Sequence, residues 1–206
     1  MAALNQEYFD RPEVLRLVQG QSAVPSATPG PGDILGADGQ IMVPASNGGI
    51  ENPKEILIPP GTTLIRFANA PFVHHAAAGA WWLDFPNYKI VEGYADDTNK
   101  PVQAAMRELC AVPEEWSSMT LLIQAVTRSP LAAYTGRGKI AVAHNKVSAI
   151  KTIDPLRYSR QQVMQLYIPG LQSPDLLKQA MIVRGYTMVA PEVSLRGYNP
   201  ALSIRR

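Results

Sequence analysis

The sequence predicts an α+β fold, a mixed sheet with packed helices, preceded by a flexible Pro/Gly-rich N-terminal arm. Three observations lead there. Strand-like and capped helix-like segments are interspersed without the regular strand–helix alternation of a doubly wound sheet. Hydrophobic residues make up 46% of the 206 positions, enough for one good core. Between Gln21 and Asn52 the composition turns to Pro, Gly, Ser and Ala, with Asp33 and Asp38 the only charges before Ile50. Such a stretch buries too little apolar surface to offset its ordering entropy. The expected division is residues 1–53 as N-terminal helix and flexible arm, and 54–206 as a single α+β domain.

In chain order, Arg11 to Gly20 reads as a short helix. Pro12 suits its first turn, and Val14, Leu15, Leu17 and Val18 supply an apolar face. Ile34-Leu35 and Ile41-Met42-Val43 are either a small hairpin turning at Asp38-Gly39 or two apolar islands in the arm. Glu55 to Ile58 reads as a strand, Pro59-Pro60-Gly61 as a turn, and Thr62 to Phe67 as a second strand. Pro86-Asn87 is expected to turn the chain into a further strand, Tyr88 to Tyr94. Asp97-Thr98-Asn99 before Pro101 announces a helix running to Ala111. A second helix is expected from Pro113, with Glu114 and Glu115 in its first turn. Met119 to Val126 fits a helix or a buried strand equally. Gly136-Arg137-Gly138 is expected as a tight turn, Lys139 to Ala143 as a strand, and Ser159 to Leu166 as a helix. Ser173-Pro174-Asp175 opens another helix, and Met181 to Val189 and Glu192 to Leu195 close the chain in extended form.

Charge excludes some functions. With 17% charged residues and a net charge of +2, there is no concentrated basic surface for nucleic acid or an anionic membrane. The one basic cluster, Arg196 with Arg205-Arg206, reads as a solvated terminus. A single cysteine, Cys110, forms no intrachain disulfide, and its apolar neighbours make it a packing residue. One cysteine and three histidines offer no recognisable zinc set. The N-terminus lacks the basic and apolar regions of a secretory signal, and no run approaches the ~20 apolar residues of a spanning helix. The expectation is a soluble protein, cytoplasmic or exported by a route without a cleavable signal peptide.

The most informative stretch for a site runs from Pro59 to Leu109, with a second region of interest at Tyr134 to Lys139. In Leu64-Ile65-Arg66-Phe67, strand alternation puts Arg66 on the same face as Leu64, as an anion clamp or the partner of an acid. Trp81-Trp82 follow a run of small residues, so one indole belongs to the core and the other is free to line a cleft. His74 and His75 stand just upstream as titratable neighbours. Glu108, next to Arg107 on the expected helix, is a carboxylate for a developing cation or an ordinary solvated acid. Tyr134-Thr135-Gly136-Arg137-Gly138-Lys139 brackets a cation with glycines, but lacks the spacing of a Walker loop. No Gly-x-Ser-x-Gly elbow is present.

In this order the parts resemble the ADP-ribosyltransferase superfamily, including its RES-type NAD-consuming branch, over about residues 60–110. The matching pieces are Arg66 in an early strand, Gly79-Ala80-Trp81-Trp82, Tyr88, and a helix carrying Ala104-Ala105-Met106-Arg107-Glu108. The resemblance implies that Arg66 holds the phosphates of NAD, that aromatic residues such as Trp82 and Tyr88 stack on nicotinamide, and that a glutamate assists an oxocarbenium-like cleavage. A closing Glu-x-Glu or Gln-x-Glu element is absent near the C-terminus, which leaves Glu108 or Glu192 as the acid. A Ser-Thr-Ser strand is also absent, with Tyr134-Thr135 the nearest substitute. Partners implied are NAD and a protein target or immunity partner, with no nucleic acid and no membrane. The alternative from another class is a structural or assembly protein of a phage particle or secretion system, docking its N-terminal arm on a neighbour. A third is a small-molecule binding module without chemistry.

Overall fold

The computed structural model describes residues 2–30, 33–43, 45–69, 73–143, 151–153 and 162–189. Two short helices open the chain, α1 (Gln6–Phe9) and α2 (Pro12–Val18). A hairpin follows, β1 (Ile34–Leu35) with β2 (Ile41–Val43), so of the two sequence readings the hairpin is the one observed. Asp38 Oδ1 accepts from Gln40 N across a turn in which Gly39 takes φ 75°. Next come β3 (Ile50–Ile58), β4 (Thr63–Ala68), α3 (Val73–Ala77), β5 (Trp81–Asp84), α4 (Phe85–Thr98) and α5 (Val102–Cys110). The chain continues through β6 (Leu121–Thr127), β7 (Leu131–Gly138), β8 (Ala141–Ala143), β9 (Lys151–Ile153), β10 (Gln165–Tyr167), α6 (Pro174–Ala180) and β11 (Met181–Met188).

Seven of these strands form one sheet in the order β11-β6-β4-β5-β10-β7-β3, and its ladders are antiparallel. Together with the helices this is an α+β fold. Period-two alternation sends side chains to two cores. Leu64 packs with Trp82, Ile123, Leu131 and Leu166, while its neighbours Ile65 and Phe67 pack with Leu83, Val91, Leu109 and Met119. The second core is where α4 and α5 cover the sheet.

A third cluster brings the N-terminus onto the same sheet. Phe9, Val14 and Val18 pack with Ile50, Tyr134 and Tyr167. Asn5, fully buried, donates from Nδ2 to the carbonyls of Ala132 and Pro169 and accepts from Ala132 N. One amide side chain thus ties α1 to β7 and to the loop after β10, satisfying buried main-chain groups.

Several local expectations give way to tertiary context. Tyr88 to Tyr94 is helical, because Asp84 Oδ1 accepts from Asn87 N at 2.9 Å and Pro86 sits in the first turn. Pro86-Asn87 therefore starts a helix instead of turning into a strand. Tyr88, Val91, Tyr94 and Ala95 are its buried face, and Asn99 stops it in the left-handed region at φ 50°. Gly136 and Gly138 lie inside β7 and make no turn. A Cβ at Gly136 would stand 2.4 Å from Ile50 Cγ2, and one at Gly138 2.6 Å from Gln165 Nε2, so these glycines answer close packing. The helix expected from Pro113 is a single 3-10 turn, Glu114–Trp116. Gln165-Leu166 belong to β10, while residues 159–161 of that expected helix lie outside the described residues, as do Glu192 to Leu195. Met119 to Val126 resolves as strand from Leu121 onward, and the strand expected at Glu55 already begins at Ile50.

Candidate functional site

A cavity of about 630 Å³ opens where β4 ends and β5 begins, between the N-terminal segment and α5. Arg66, on β4, reaches its wall. The guanidinium donates from Nε to Ala76 O at 2.7 Å and from Nη1 to Trp81 O at 2.6 Å. The sequence makes room for it at Gly79, where a Cβ would fall 1.9 Å from Nη2. Among the described residues no carboxylate pairs with this cation, and burial alone draws its pKa down to about 10. Arg66 is still charged at neutral pH and half-buried, with no carboxylate partner among the described residues and with guanidinium N–H groups beyond those given to Ala76 and Trp81 left for a phosphate or carboxylate.

The remaining wall is aromatic and neutral. All of the chain's 3 tryptophans, Trp81, Trp82 and Trp116, line the cavity. Trp82 is almost fully buried and donates from Nε1 to Gly79 O at 2.7 Å. Trp81 makes an edge contact with Tyr167, ring centroids 5.0 Å apart. Trp116 is 44% exposed, an indole partly in solvent beside the opening. Gln165 lies at the wall with its Nε2 donating to Cys110 O at 2.9 Å. Asn69 Oδ1 gathers three donors, Ser117 Oγ, Ser118 N and Ser118 Oγ. His75 lines the cavity too; the side chain of His74 is outside the described residues. Among the described residues, no Asp or Glu lines the cavity.

The sequence-derived candidates are therefore divided. Arg66 and Trp82 meet at the cavity, joined by His75. Glu108 does not line it. Met106 and Cys110 face the cavity from α5, and Glu108 lies two residues from each, about 160° around the helix. Its carboxylate accepts from Lys100 Nζ at 2.7 Å and from Tyr94 OH at 2.9 Å, and the hydrogen bond to Glu108 raises the pKa of Lys100. Tyr88 packs against Phe67 in the second core, and burial pushes its phenol up to about 12, with Glu92 adding to the shift. Tyr134 stacks on Phe9 at 4.7 Å and reaches Glu55 at 3.4 Å. Thr135 is half-buried in β7, paired with Lys54 and Leu166. Tyr88, Tyr134 and Thr135 are also absent from the cavity wall. Glu192 lies outside the described residues.

Sequence reasoning missed Trp116, Gln165 and the N-terminal contributors Leu17, Gly20, Gln21, Asn47 and Gly49. The signal for Trp116 was present, since it is the remaining tryptophan, but it sat in a segment expected to be an ordinary helix. Cys110 borders the cavity with its thiol buried, and burial pushes its pKa far above the ordinary value, away from a nucleophilic thiolate.

Among the described residues no group of three or more His, Cys, Asp or Glu is placed to hold a metal ion, and no helix is long and apolar enough to cross a membrane. No protein-family model and no curated protein sequence matches the chain. Two solved structures are similar in part. Tne2, solved in complex with Tni2, aligns at TM-score 0.40 and 15% identity, over 68% of this chain and 95% of that one. Rhs1-CT, solved in complex with its cognate immunity protein RhsI1, aligns at TM-score 0.39 and 10% identity, over 68% of this chain and 83% of that one.

Proposed function

We propose that the cavity binds NAD, with a phosphate on Arg66 and a planar ring against the exposed indole surface, and that the chain cleaves the nicotinamide glycosidic bond as a glycohydrolase or an ADP-ribosyltransferase. The observation that carries this reading is Arg66 itself, a desolvated guanidinium at a cavity wall with no carboxylate beside it among the described residues. A half-buried, partly desolvated cation with no carboxylate beside it among the described residues carries a desolvation cost, and an anionic ligand would supply the missing charge. The indoles offer a flat apolar surface for a base or nicotinamide ring.

Cleavage releases nicotinamide with the bonding electron pair, and water or an acceptor side chain takes its place on the ribose. The intervening cationic state calls for a preorganised carboxylate. Glu108 is turned away from the cavity and held by Lys100 and Tyr94, so the proposal assigns the acid to Glu192. A protein acceptor or an inhibitory partner belongs to the same proposal. The assembly reading draws no support from the first helices, whose apolar faces are already packed on the chain's own sheet.

Because all of the tryptophans line the cavity, NAD binding should quench intrinsic fluorescence. We expect saturable quenching in the wild type, loss of it in Arg66→Lys, and nicotinamide release that survives Glu108→Gln but not Glu192→Gln. Absence of quenching and of a thermal shift at millimolar NAD would sink the dinucleotide reading. Binding without nicotinamide release would leave a binding module without this chemistry.

A further inference from the structure

The cavity has a wall that comes from outside the sheet. Leu17, Gly20 and Gln21 at the end of α2, and Asn47 and Gly49 before β3, all line it. These two stretches cross backbone against backbone. Gly20 adopts φ 75°, and a Cβ there would stand 2.4 Å from Gly48 O; Gly49 adopts φ 85°, and a Cβ there would stand 2.4 Å from Gly20 N. Gly48, at φ 66°, lies under Trp116, with a Cβ position 2.8 Å from Cη2 of the indole. No other residue fits these positions without moving the crossing or the indole.

The crossing is then pinned to the strand region behind it. Asn47 N donates to Gly20 O at 2.9 Å, Gly48 N to Ile140 O at 3.0 Å, and Lys139 N to Gly49 O at 2.9 Å. Asn47 exchanges two side-chain hydrogen bonds with the main chain of Val142. Lys139 Nζ donates to Gln19 O at 2.7 Å and to Ser46 Oγ at 3.1 Å, one ammonium holding both stretches at once. Lys139 is not itself among the cavity-lining residues.

We propose that this glycine crossing is a working part of the ligand site, so that seating of the N-terminal segment and binding of the anionic ligand are thermodynamically linked. The inference rests on the proposed NAD site and specifies how that site is closed: Arg66 and the tryptophans form one side, and residues 17–21 and 47–49 form the other. A ligand that contacts both sides favours the seated segment, and an unseated segment lowers the apparent affinity by the fraction of molecules left open. Lys139 and Gly20 are positioning residues in this arrangement.

The test uses the full chain and NAD as probe. Lys139→Met removes the pin without touching the cavity, Lys139→Arg keeps a donor able to reach both acceptors, and Gly20→Ala obstructs the crossing directly. The expected result is about tenfold or greater weakening of NAD binding by tryptophan quenching in Lys139→Met and Gly20→Ala, with affinity retained in Lys139→Arg. NAD should also slow amide hydrogen exchange at residues 18–21 and 46–49 in the wild type, a readout that a purely structural role would leave unchanged. That measurement decides the matter if Gly20→Ala does not fold. Wild-type binding with undiminished affinity in the variants and unchanged exchange overturns the linked wall and leaves the NAD site standing. No NAD binding by the wild type overturns both.

Discussion

At Arg66 one side chain does two jobs that a sequence cannot separate. It is bonded to the carbonyls of Ala76 and Trp81, and among the described lining residues it is the one arginine or lysine on the cavity wall. Arg66→Ala should therefore abolish anion binding and also destabilise the fold by about 1–3 kcal/mol, because two carbonyls lose their donors. Thermal melts with and without ligand separate the two effects. Gly79→Ala tests the same site from the other side: its Cβ would displace the guanidinium, so ligand affinity and melting temperature should both fall. Arg66 was legible as a candidate from its isolated place in an apolar strand. Glu108 looked equally good in sequence, and only the helix phase, with Met106 and Cys110 on the cavity side, turns it away. Breaking its partly exposed ion pair with Lys100 should cost less than about 1 kcal/mol in Glu108→Gln. A larger loss in urea unfolding would mean that the Tyr94–Glu108 contact matters more than its exposure implies. Cys110 should resist thiol reagents in the native protein and react on denaturation.

At the level of elements, short capping signals outrank strand-like composition. Asp84 followed by Pro86 makes Phe85–Thr98 a helix, although Tyr88 to Tyr94 contains the aromatic and branched residues of a strand. Asp84→Ala should cost about 1 kcal/mol and loosen the first turn, visible as faster amide exchange at Asn87. The Ser173 cap is read correctly from sequence because Ser173 accepts from Leu176 N and Pro174 enters the first turn with nothing in competition. The glycines of β7 mislead in the other direction. Their neighbours Ile50, Gln165 and Cys110 come from distant parts of the chain, so a local reading finds a turn where the fold has a crowded strand. Asn5 is an element-level tie of the same kind. Asn5→Ala would leave buried groups of Ala132 and Pro169 unpaired and should destabilise by on the order of 2–3 kcal/mol in denaturant unfolding.

For the whole molecule, alkaline stability integrates the buried tyrosines. Tyr88 is pushed up to about 12, and Tyr94, Tyr134 and Tyr167 are raised as well, each chiefly by burial. Above the ordinary phenol value of about 10 the unfolded chain loses these protons while the folded chain keeps them. The folded state then binds more protons, so stability falls as pH rises from about 10 to about 12. Arg66 acts in the opposite sense: its folded pKa of about 10 lies below its unfolded value, so the folded state releases that proton first and gains stability over the same range. Four raised phenols, joined by the raised Cys110 thiol and Lys100 ammonium, against the lowered Arg66 and Lys139 should give a net loss, measurable as a falling melting temperature above pH 10. An anionic ligand on Arg66 should then bind more weakly as the guanidinium discharges.

The chain's own sequence determined the α+β class, the strand around Arg66, the helices led by Pro12, Pro101 and Pro174 and the inert character of Cys110, because each depends on alternation, capping or composition within a few residues. Tertiary structure alone decided which residues line the cavity. The cavity takes its walls from α2, the stretch before β3, β4, β5, α5 and β10, segments far apart in sequence. It selects Arg66 and the tryptophans by where the strands end, and it excludes Glu108 by the phase of one helix. The crossing at Gly20 and Gly49 follows the same rule: each glycine faces backbone from a distant stretch, which no local pattern names. Local pattern sets which elements form; which side chains then share a cavity is a matter of long-range packing.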